Sequence, residues 1–142
     1  MDFLQVPATL ESLGRVTSYV LKAAKVAGLS PKATQCMRLA VDEIAINIVT
    51  HGYDDAGTHG HLDLTSQIND QGLTIVLEDT GKSYDPSKFE RPLSLDNPLD
   101  ERPVGGLGVY LAMHNVDRFR YERVADRNRH TFFVGRISSM DD

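Results

Sequence analysis

The feature that most constrains the fold is a change in the spacing of apolar residues along the chain. Over about residues 9–50 they recur every three or four positions, which predicts two amphipathic helices. From residue 61 onward they mostly alternate with polar residues, which predicts half-buried strands joined by hairpins. This order favours an α+β two-layer sandwich, in which helices cover one face of a mixed, mostly antiparallel sheet. It does not match the βαβ alternation of a doubly wound parallel fold.

Local signals set the expected ends of these elements. Gly28 ends a first helix that begins near Thr9, and Ser30-Pro31 supplies an N-cap and a proline for a second helix running to about Thr50. The late hairpin turns at Ala125-Asp126-Arg127-Asn128. The expected strands are residues 1–6, 61–68, 73–78, 118–124 and 130–136, and a third helix spans 109–115. Without an internal repeat or low-complexity tract, we expect a single domain over residues 1–142.

Composition excludes several classes of protein. A chain of 142 residues with 41% hydrophobic and 25% charged residues has the composition of one folded domain. The single cysteine, Cys36, excludes an internal disulfide and a cysteine-cluster zinc site. A net charge of −5 argues against direct nucleic-acid binding. No apolar run approaches the roughly 20 residues of a membrane span, and no signal peptide is evident, so we expect a cytoplasmic protein.

The first candidate site lies on the second helix. Glu43 and Asn47 are four residues apart and therefore project from one helix face, to the side of the buried stripe. A carboxylate and an amide oxygen in that arrangement can place a proton acceptor beside a ligand for a hard cation. For an isolated E-x-x-x-N pattern, the simpler interpretation is a solvated helix face.

The second candidate site is the end of the second hairpin strand. Asp79 can accept a hydrogen bond from an exocyclic amine, while Gly81 lets a flat ring approach. The alternative is an ordinary turn with a strand-terminating aspartate. Gly81-Lys82-Ser83 is not a phosphate-binding P-loop, because that motif requires glycine where Val76 stands.

The third candidate site is the glycine cluster before the predicted third helix, formed by Gly105, Gly106 and Gly108. Glycines let backbone N–H groups converge on an anion, and a helix N-terminus favours negative charge, so a phosphate is the natural ligand. The alternative is a hinge for the long polar segment before it, about residues 82–105, whose length is typical of a functional lid or of disorder.

Other polar residues have simpler interpretations. His59 and His61 lack further ligands at metal-site spacing, Cys36 suits a small packed position, and Lys82 suits a solvated loop. The late strands are rich in arginine, which a half-exposed sheet face explains, with a binding face for an acidic protein as the alternative. These residues are Arg118, Arg120, Arg123, Arg127, Arg129 and Arg136.

Taken in order, the three motifs resemble those of the GHKL ATPase/kinase superfamily, whose histidine-kinase-like ATPase domain has the Bergerat fold. The nearer resemblance is to its small anti-sigma-factor serine/threonine kinases. It rests on LAVDEIAIN (39–47) with HGY (51–53), on DTGKSYDP (79–86) and on GGLGVYL (105–111), and it extends through the closing strands. Two departures are Ser83, where glycine is common in the family, and a poorly matched lid over 87–104.

The resemblance implies a role for each candidate residue. Asn47 would ligate a Mg²⁺ ion that bridges the phosphates of ATP, and Glu43 would act as general base toward a serine hydroxyl. Asp79 would accept a hydrogen bond from the adenine amino group, with Gly81 making room beside the ring. The phosphates would be held beneath an ATP lid of about 82–105 by three glycines: Gly105, Gly106 and Gly108.

The resemblance also implies a function, with partners. The chain would transfer the γ-phosphate of ATP to a serine of a STAS-domain antagonist and so regulate a sigma factor or another effector by partner switching, as a homodimer. Alternatives are a non-catalytic, nucleotide-gated binding switch and a weak ATPase in which water replaces the serine. We disfavour a histidine-kinase catalytic domain, because no helix pair with a phospho-accepting histidine precedes the first helix in this sequence.

Overall fold

The computed structural model describes residues 3–54, 57–81 and 113–136. A short 3₁₀ turn, Leu10–Ser12, leads into α1, and α2 continues without a break into a π-helix, Ile48–Asp54. The helices are α1 (Leu13–Ala27) and α2 (Pro31–Asn47). The strands are β1 (Leu4–Pro7), β2 (His61–Ile68), β3 (Gly72–Asp79), β4 (Arg118–Val124) and β5 (Arg127–Gly135).

The sheet has five strands in the order β1-β2-β3-β5-β4. Each of the pairings described is antiparallel, and β5 inserts between β3 and β4. The predicted α+β sandwich is confirmed. The expected edge strand at the N-terminus is also present, because β1 lies at one end of the described sheet, next to β2.

The helix ends follow the local sequence signals. Gly28 ends α1 in the left-handed conformation, with φ of 72°, which favours glycine. The Ser30 hydroxyl caps α2 by accepting a hydrogen bond of 3.0 Å from the backbone N–H of Ala33, and Pro31 is the first helical residue. The first α-helix begins four residues later than Thr9, because residues 10–12 form the 3₁₀ turn.

One continuous apolar core lies between the helices and one face of the sheet. The two helices contact each other, α1 lies against β1, β2 and β3, and α2 lies against β5. The helices contribute the predicted stripes, which are buried except for the partly buried Leu13: Leu13, Val16, Val20, Ala23 and Ala27 from α1, and Ala33, Met37, Val41 and Ile44 from α2, followed by Ile48. The sheet contributes Leu62, Leu64, Leu73, Ile75, Leu77, Phe132 and Val134. No helix in the described ranges is long and apolar enough to cross a membrane.

The late hairpin is tighter than predicted. Val124 pairs with Arg127, so the turn contains only Ala125 and Asp126, and Ala125 takes a left-handed φ of 57°. Two-residue hairpin turns require such backbone angles. As a consequence, β5 begins at Arg127 rather than at residue 130, and Asn128 lies within a strand instead of a turn. Of the predicted third helix, residues 113–115 are helical, and 109–112 lie outside the described residues.

Candidate functional site

The C-terminal end of α2 carries the first pair of predicted residues. Asn47 is the last residue of α2 and is 6% exposed, and Glu43, one turn earlier, is half-buried. The apolar residues of α2 pack into the core. Glu43 and Asn47 are not part of this apolar stripe and lie next to it on the helix. Glu43 is therefore not on a fully solvated face, which was the simpler interpretation.

The π-helix after Asn47 brings the chain to the end of β3. π-Helical turns are rare and occur often at functional sites. The last turn carries Gly52 and Tyr53, and both are buried. The Tyr53 hydroxyl accepts a hydrogen bond of 2.9 Å from the backbone N–H of Thr80, in the turn that follows β3.

Two glycines allow this close approach. A Cβ atom on Gly60 would overlap the ring of Tyr53. A Cβ atom on Gly81 would lie 2.9 Å from the carbonyl oxygen of Gly52 and 3.2 Å from Cζ of Tyr53. Contacts within the protein therefore already require glycine at residue 81, before any ligand is considered.

Asp79, the last residue of β3, is 2% exposed and has two differently placed carboxylate oxygens. Oδ2 accepts hydrogen bonds from the backbone N–H of Gly81 at 2.8 Å and from Nδ2 of Asn128 at 3.1 Å. Oδ1 is buried and has no hydrogen-bond partner among the residues that the structure describes. Buried acceptors are normally paired, so Oδ1 is available to a donor from outside this set of residues.

Burial and the polar neighbours of Asp79 shift the pKa of its carboxyl group in opposite directions. Burial is the largest effect and raises the pKa of the carboxyl group above its ordinary value of 3.8. The hydrogen bonds from Gly81 and Asn128 and the charges of Arg123 and Arg127 act in the opposite direction and offset part of this rise. Once ionised, the carboxylate can only accept hydrogen bonds, so the unpaired Oδ1 selects a ligand that donates one.

Asn128 is 1% exposed and central to this site, although the sequence pattern indicated only a turn residue there. Its Nδ2 donates to Asp79 and to the carbonyl oxygen of Gly81, the latter at 3.1 Å. Its Oδ1 accepts from the Tyr121 hydroxyl at 2.6 Å and from the Arg123 guanidinium at 2.9 Å. Inward-facing residues alternate along β5, from Phe132 back to His130 and then Asn128. A correctly assigned turn would therefore have placed Asn128 on the inward face of the sheet, with Asp79.

The opposite face of the sheet carries most of the late arginines, as predicted. Arg129 contacts Glu78 at 3.1 Å and Glu122 at 3.4 Å, while Arg127 contacts Asp63 at 2.6 Å. These ion pairs account for Arg127 and Arg129 as part of a charged, half-exposed sheet face, whereas Arg136 donates to the carbonyl oxygen of Ala27 at the end of α1. Arg123 differs, because it donates to Asn128 and to the carbonyl oxygen of Gly81, at 2.9 and 3.1 Å.

Comparison with known proteins identifies the family. The family profile described as the histidine kinase-like ATPase domain matches residues 6–132, which is most of the chain. The chain belongs to the histidine kinase-like ATPase family. The match includes the described part of the site, from Glu43 to Asn128.

Curated relatives place this histidine kinase-like ATPase domain nearer to one group. The chain is 30% identical over 118 residues to the serine-protein kinase RsbW of Halalkalibacterium halodurans, covering 81% of this chain and 71% of the relative. It is 26% identical over 111 residues to RsbW of Bacillus cereus, covering 76% of this chain and 68% of the relative. The resemblance to the GHKL superfamily and its anti-sigma-factor kinases is therefore confirmed.

Solved histidine kinase-like ATPase domains share the fold. The histidine kinase domain of the blue-light activated kinase EL346 from Erythrobacter litoralis matches 92% of this chain with a TM-score of 0.50 and 17% identity. The chain spans 62% of that structure, less than two thirds of its length. The Acinetobacter baumannii histidine kinase AdeS matches 97% of this chain and 70% of its own with the same TM-score and 11% identity.

Part of the predicted site lies outside the described residues. The structure brings Asp79 and Gly81 together with the helical segment that follows Asn47, through Gly52 and Tyr53. Gly105, Gly106 and Gly108, with Lys82, Ser83 and the predicted ATP lid at about 82–105, fall outside the described ranges. Among the residues that the structure does describe, no group of three or more His, Cys, Asp and Glu side chains is arranged to hold a metal ion.

Proposed function

We propose that this chain is an ATP-dependent serine/threonine protein kinase of the anti-sigma-factor type, which phosphorylates a serine of a STAS-domain antagonist. The observation that carries the proposal is Oδ1 of Asp79, a buried acceptor without a partner among the described residues. Family membership and the two relatives named serine-protein kinase RsbW support the same activity.

The shape and chemistry around Asp79 suit adenine. An exocyclic amine can donate to Oδ1, which satisfies an acceptor that otherwise costs free energy to bury. The absence of a side chain at Gly81 lets the turn beside the carboxylate pack closely against Gly52 and Tyr53. A 6-oxo purine would instead place a carbonyl oxygen against the ionised carboxylate, so the site favours adenine over guanine or hypoxanthine.

Asn47 and Glu43 suit phosphoryl transfer to a hydroxyl. Mg²⁺ takes hard oxygen ligands, and one protein ligand together with phosphate oxygens and water is an ordinary arrangement, which Asn47 Oδ1 fits. The bound ion would supply charge neutralisation at the phosphates. Glu43 accepts the proton of the serine hydroxyl as the serine oxygen bonds to the γ-phosphorus and the bond to the β–γ bridging oxygen breaks, releasing ADP. Gly105, Gly106 and Gly108 are proposed to hold the phosphates.

The similarity to the RsbW kinases also supports a proposal about where the protein acts and with which partners. We place the protein in the cytoplasm as a homodimer, where the phosphorylation state of its antagonist decides whether it holds a sigma factor or another effector. Phosphorylation at a serine adds nearly two negative charges, which is enough to disrupt or create a protein–protein contact. This partner switching requires both catalysis and protein binding by one small domain.

A transfer assay tests the kinase. The purified chain, Mg²⁺ and γ-labelled ATP are incubated with STAS-domain proteins from the same source, beside Glu43→Gln, Asn47→Ala and the outer-face control Glu122→Gln. We expect label on a STAS serine with the unaltered chain and with Glu122→Gln only. Glu43→Gln should still bind ATP, whereas Asn47→Ala should lose the Mg²⁺-dependent part of the affinity.

The other functions predict different results. Tight ATP binding without any labelled protein or released phosphate would replace the kinase with a nucleotide-gated binding switch. Phosphate release without protein label, lost in Glu43→Gln, would identify an ATPase. Full transfer activity in Glu43→Gln would remove that residue as the general base.

A further inference from the structure

Asp79, Asn128 and Arg123 form one row across three neighbouring strands. In the β3–β5 pairing Asp79 lies opposite Asn128, and in the β5–β4 pairing Asn128 lies opposite Arg123. Directly opposite residues of antiparallel strands have neighbouring side chains on the same face. The row ends at Asp79, whose carboxylate we assign to adenine binding. Asn128 therefore connects Arg123, on the edge strand β4, to the proposed base site.

Asn128 uses both ends of its side-chain amide within this row. Its nitrogen donates to Oδ2 of Asp79 and to the carbonyl oxygen of Gly81, both at 3.1 Å. Its oxygen accepts from the hydroxyl of Tyr121 and from Arg123. These contacts fix which way the amide faces, because a flipped amide would set its NH₂ group against the guanidinium of Arg123, which can only donate, and its oxygen against two acceptors.

The fixed amide in turn distinguishes the two oxygens of Asp79. Oδ2 is held by Asn128 and by the N–H of Gly81, so Oδ1 is the oxygen that stays without a partner in the described residues. Without Asn128 a single backbone hydrogen bond would hold the carboxylate, and rotation about its terminal bond would be less restricted. The carbonyl of Gly81 would keep only its bond from Arg123 among the contacts described.

We propose that Asn128 is a positioning residue that sets the base selectivity of the nucleotide site, by holding Asp79 with Oδ1 directed toward the 6-amino group of adenine. This inference rests on the proposed binding of ATP at Asp79. Asn128 does not itself contact the base in this arrangement; it acts through Asp79 and through the turn at Gly81.

Base selectivity separates this role from a merely structural one. Adenine and hypoxanthine differ where the carboxylate reads the base, because one carries an amine at C6 and the other a carbonyl oxygen. A general loosening of the fold would weaken the binding of ATP and of ITP to the same extent. Loss of the carboxylate orientation instead weakens the binding of ATP and reduces the repulsion between the carboxylate and the C6 carbonyl of ITP. The ratio of the two dissociation constants therefore changes.

The test measures dissociation constants for Mg·ATP and Mg·ITP with the unaltered chain, Asn128→Ala and Arg129→Ala, by calorimetry. We expect the unaltered chain and Arg129→Ala, whose side chain lies on the opposite sheet face, to share one ITP-to-ATP ratio. For Asn128→Ala we expect that ratio to fall about tenfold, since a hydrogen bond to a charged group is lost. An unchanged ratio in a folded Asn128→Ala would overturn the inference.

Two further measurements keep the outcomes distinct. If Asn128→Ala does not fold by circular dichroism, Tyr121→Phe replaces it, because this variant removes a hydroxyl that donates to Asn128 and keeps the ring. The ratio should then fall about twofold to threefold, and no change would overturn the inference. If the unaltered chain binds neither nucleotide, the proposed function itself fails. If it binds ATP selectively while Asn128→Ala keeps the same ratio, only the role of Asn128 fails.

Discussion

The hydroxyl of Tyr53 accepts a 2.9 Å hydrogen bond from the backbone N–H of Thr80. This contact joins the π-helix, which follows Glu43 and Asn47 of α2 without a break, to the turn that follows Asp79. The two parts of the proposed site, one for phosphates and one for the base, are thus connected by a direct bond rather than only through the core.

Replacing Tyr53 by phenylalanine tests this connection. The N–H of Thr80 loses its acceptor, so we expect a loss of about 0.5–1.5 kcal/mol in the free energy of unfolding and weaker ATP binding. Tyr19→Phe is a matched control, because the Tyr19 hydroxyl donates to Ser66 at 3.0 Å, between α1 and β2. Urea unfolding and ATP titration of both variants check this. Equal ATP affinity in Tyr53→Phe and Tyr19→Phe would contradict it.

Gly81 tests the close packing of the turn. An added Cβ would lie 2.9 Å from both Oδ2 of Asp79 and the carbonyl oxygen of Gly52, so Gly81→Ala must shift the turn. We expect a cost of about 1–3 kcal/mol in stability and a loss of ATP affinity. Gly14→Ala is the control, since nothing lies within 4 Å of its added Cβ in α1, and it should stabilise the fold by about 0.5–1 kcal/mol. Thermal melts and nucleotide titrations distinguish the two variants.

The helices and the general architecture were predictable because their signals are local. Gly28 and Ser30-Pro31 act within a few residues, and the apolar stripes that they delimit became the core. The π-helix was not predictable in the same way. The helical sequence pattern was expected to end near Thr50, and nothing local indicates a wider turn over residues 48–54 that carries Tyr53 to β3.

The candidate site was predictable in part. Asp79 and Gly81 stood out as a strand-end motif, and their proximity to one another is local. Asn128 was missed for two reasons: the turn at Ala125-Asp126 was assigned two residues too long, and its partner Asp79 is 49 positions away. The sequence does not indicate that the late hairpin packs beside β3 through β5 rather than β4. The pairing of Asp79 with Asn128 depends on that arrangement.

A hydrogen bond between the two helices holds Asp42, the residue before Glu43. The hydroxyl of Thr17 in α1 donates to Oδ1 of Asp42 in α2 at 2.8 Å, and Arg38 lies 3.6 Å from the other carboxylate oxygen. We expect Thr17→Val to cost about 1 kcal/mol in the free energy of unfolding. A double-mutant cycle with Asp42→Asn measures the coupling between the two side chains. A coupling energy near zero would show that the bond contributes nothing to stability.

The raised pKa of Asp79 predicts a stability that depends on pH. Burial favours the protonated carboxyl group in the folded state, so its contribution is fully present below the ordinary value of 3.8 and is lost as pH rises through the folded pKa. Asp79→Asn removes this loss and keeps a side-chain oxygen for Gly81 and Asn128. Relative to the unaltered chain, its free energy of unfolding should therefore increase from pH 4 to pH 7, while ATP affinity falls. Asp42, whose pKa burial also raises, is present in both proteins, so urea unfolding of the pair isolates Asp79. A difference in stability that stays constant with pH would mean that the carboxyl group titrates alike in the folded and unfolded chains.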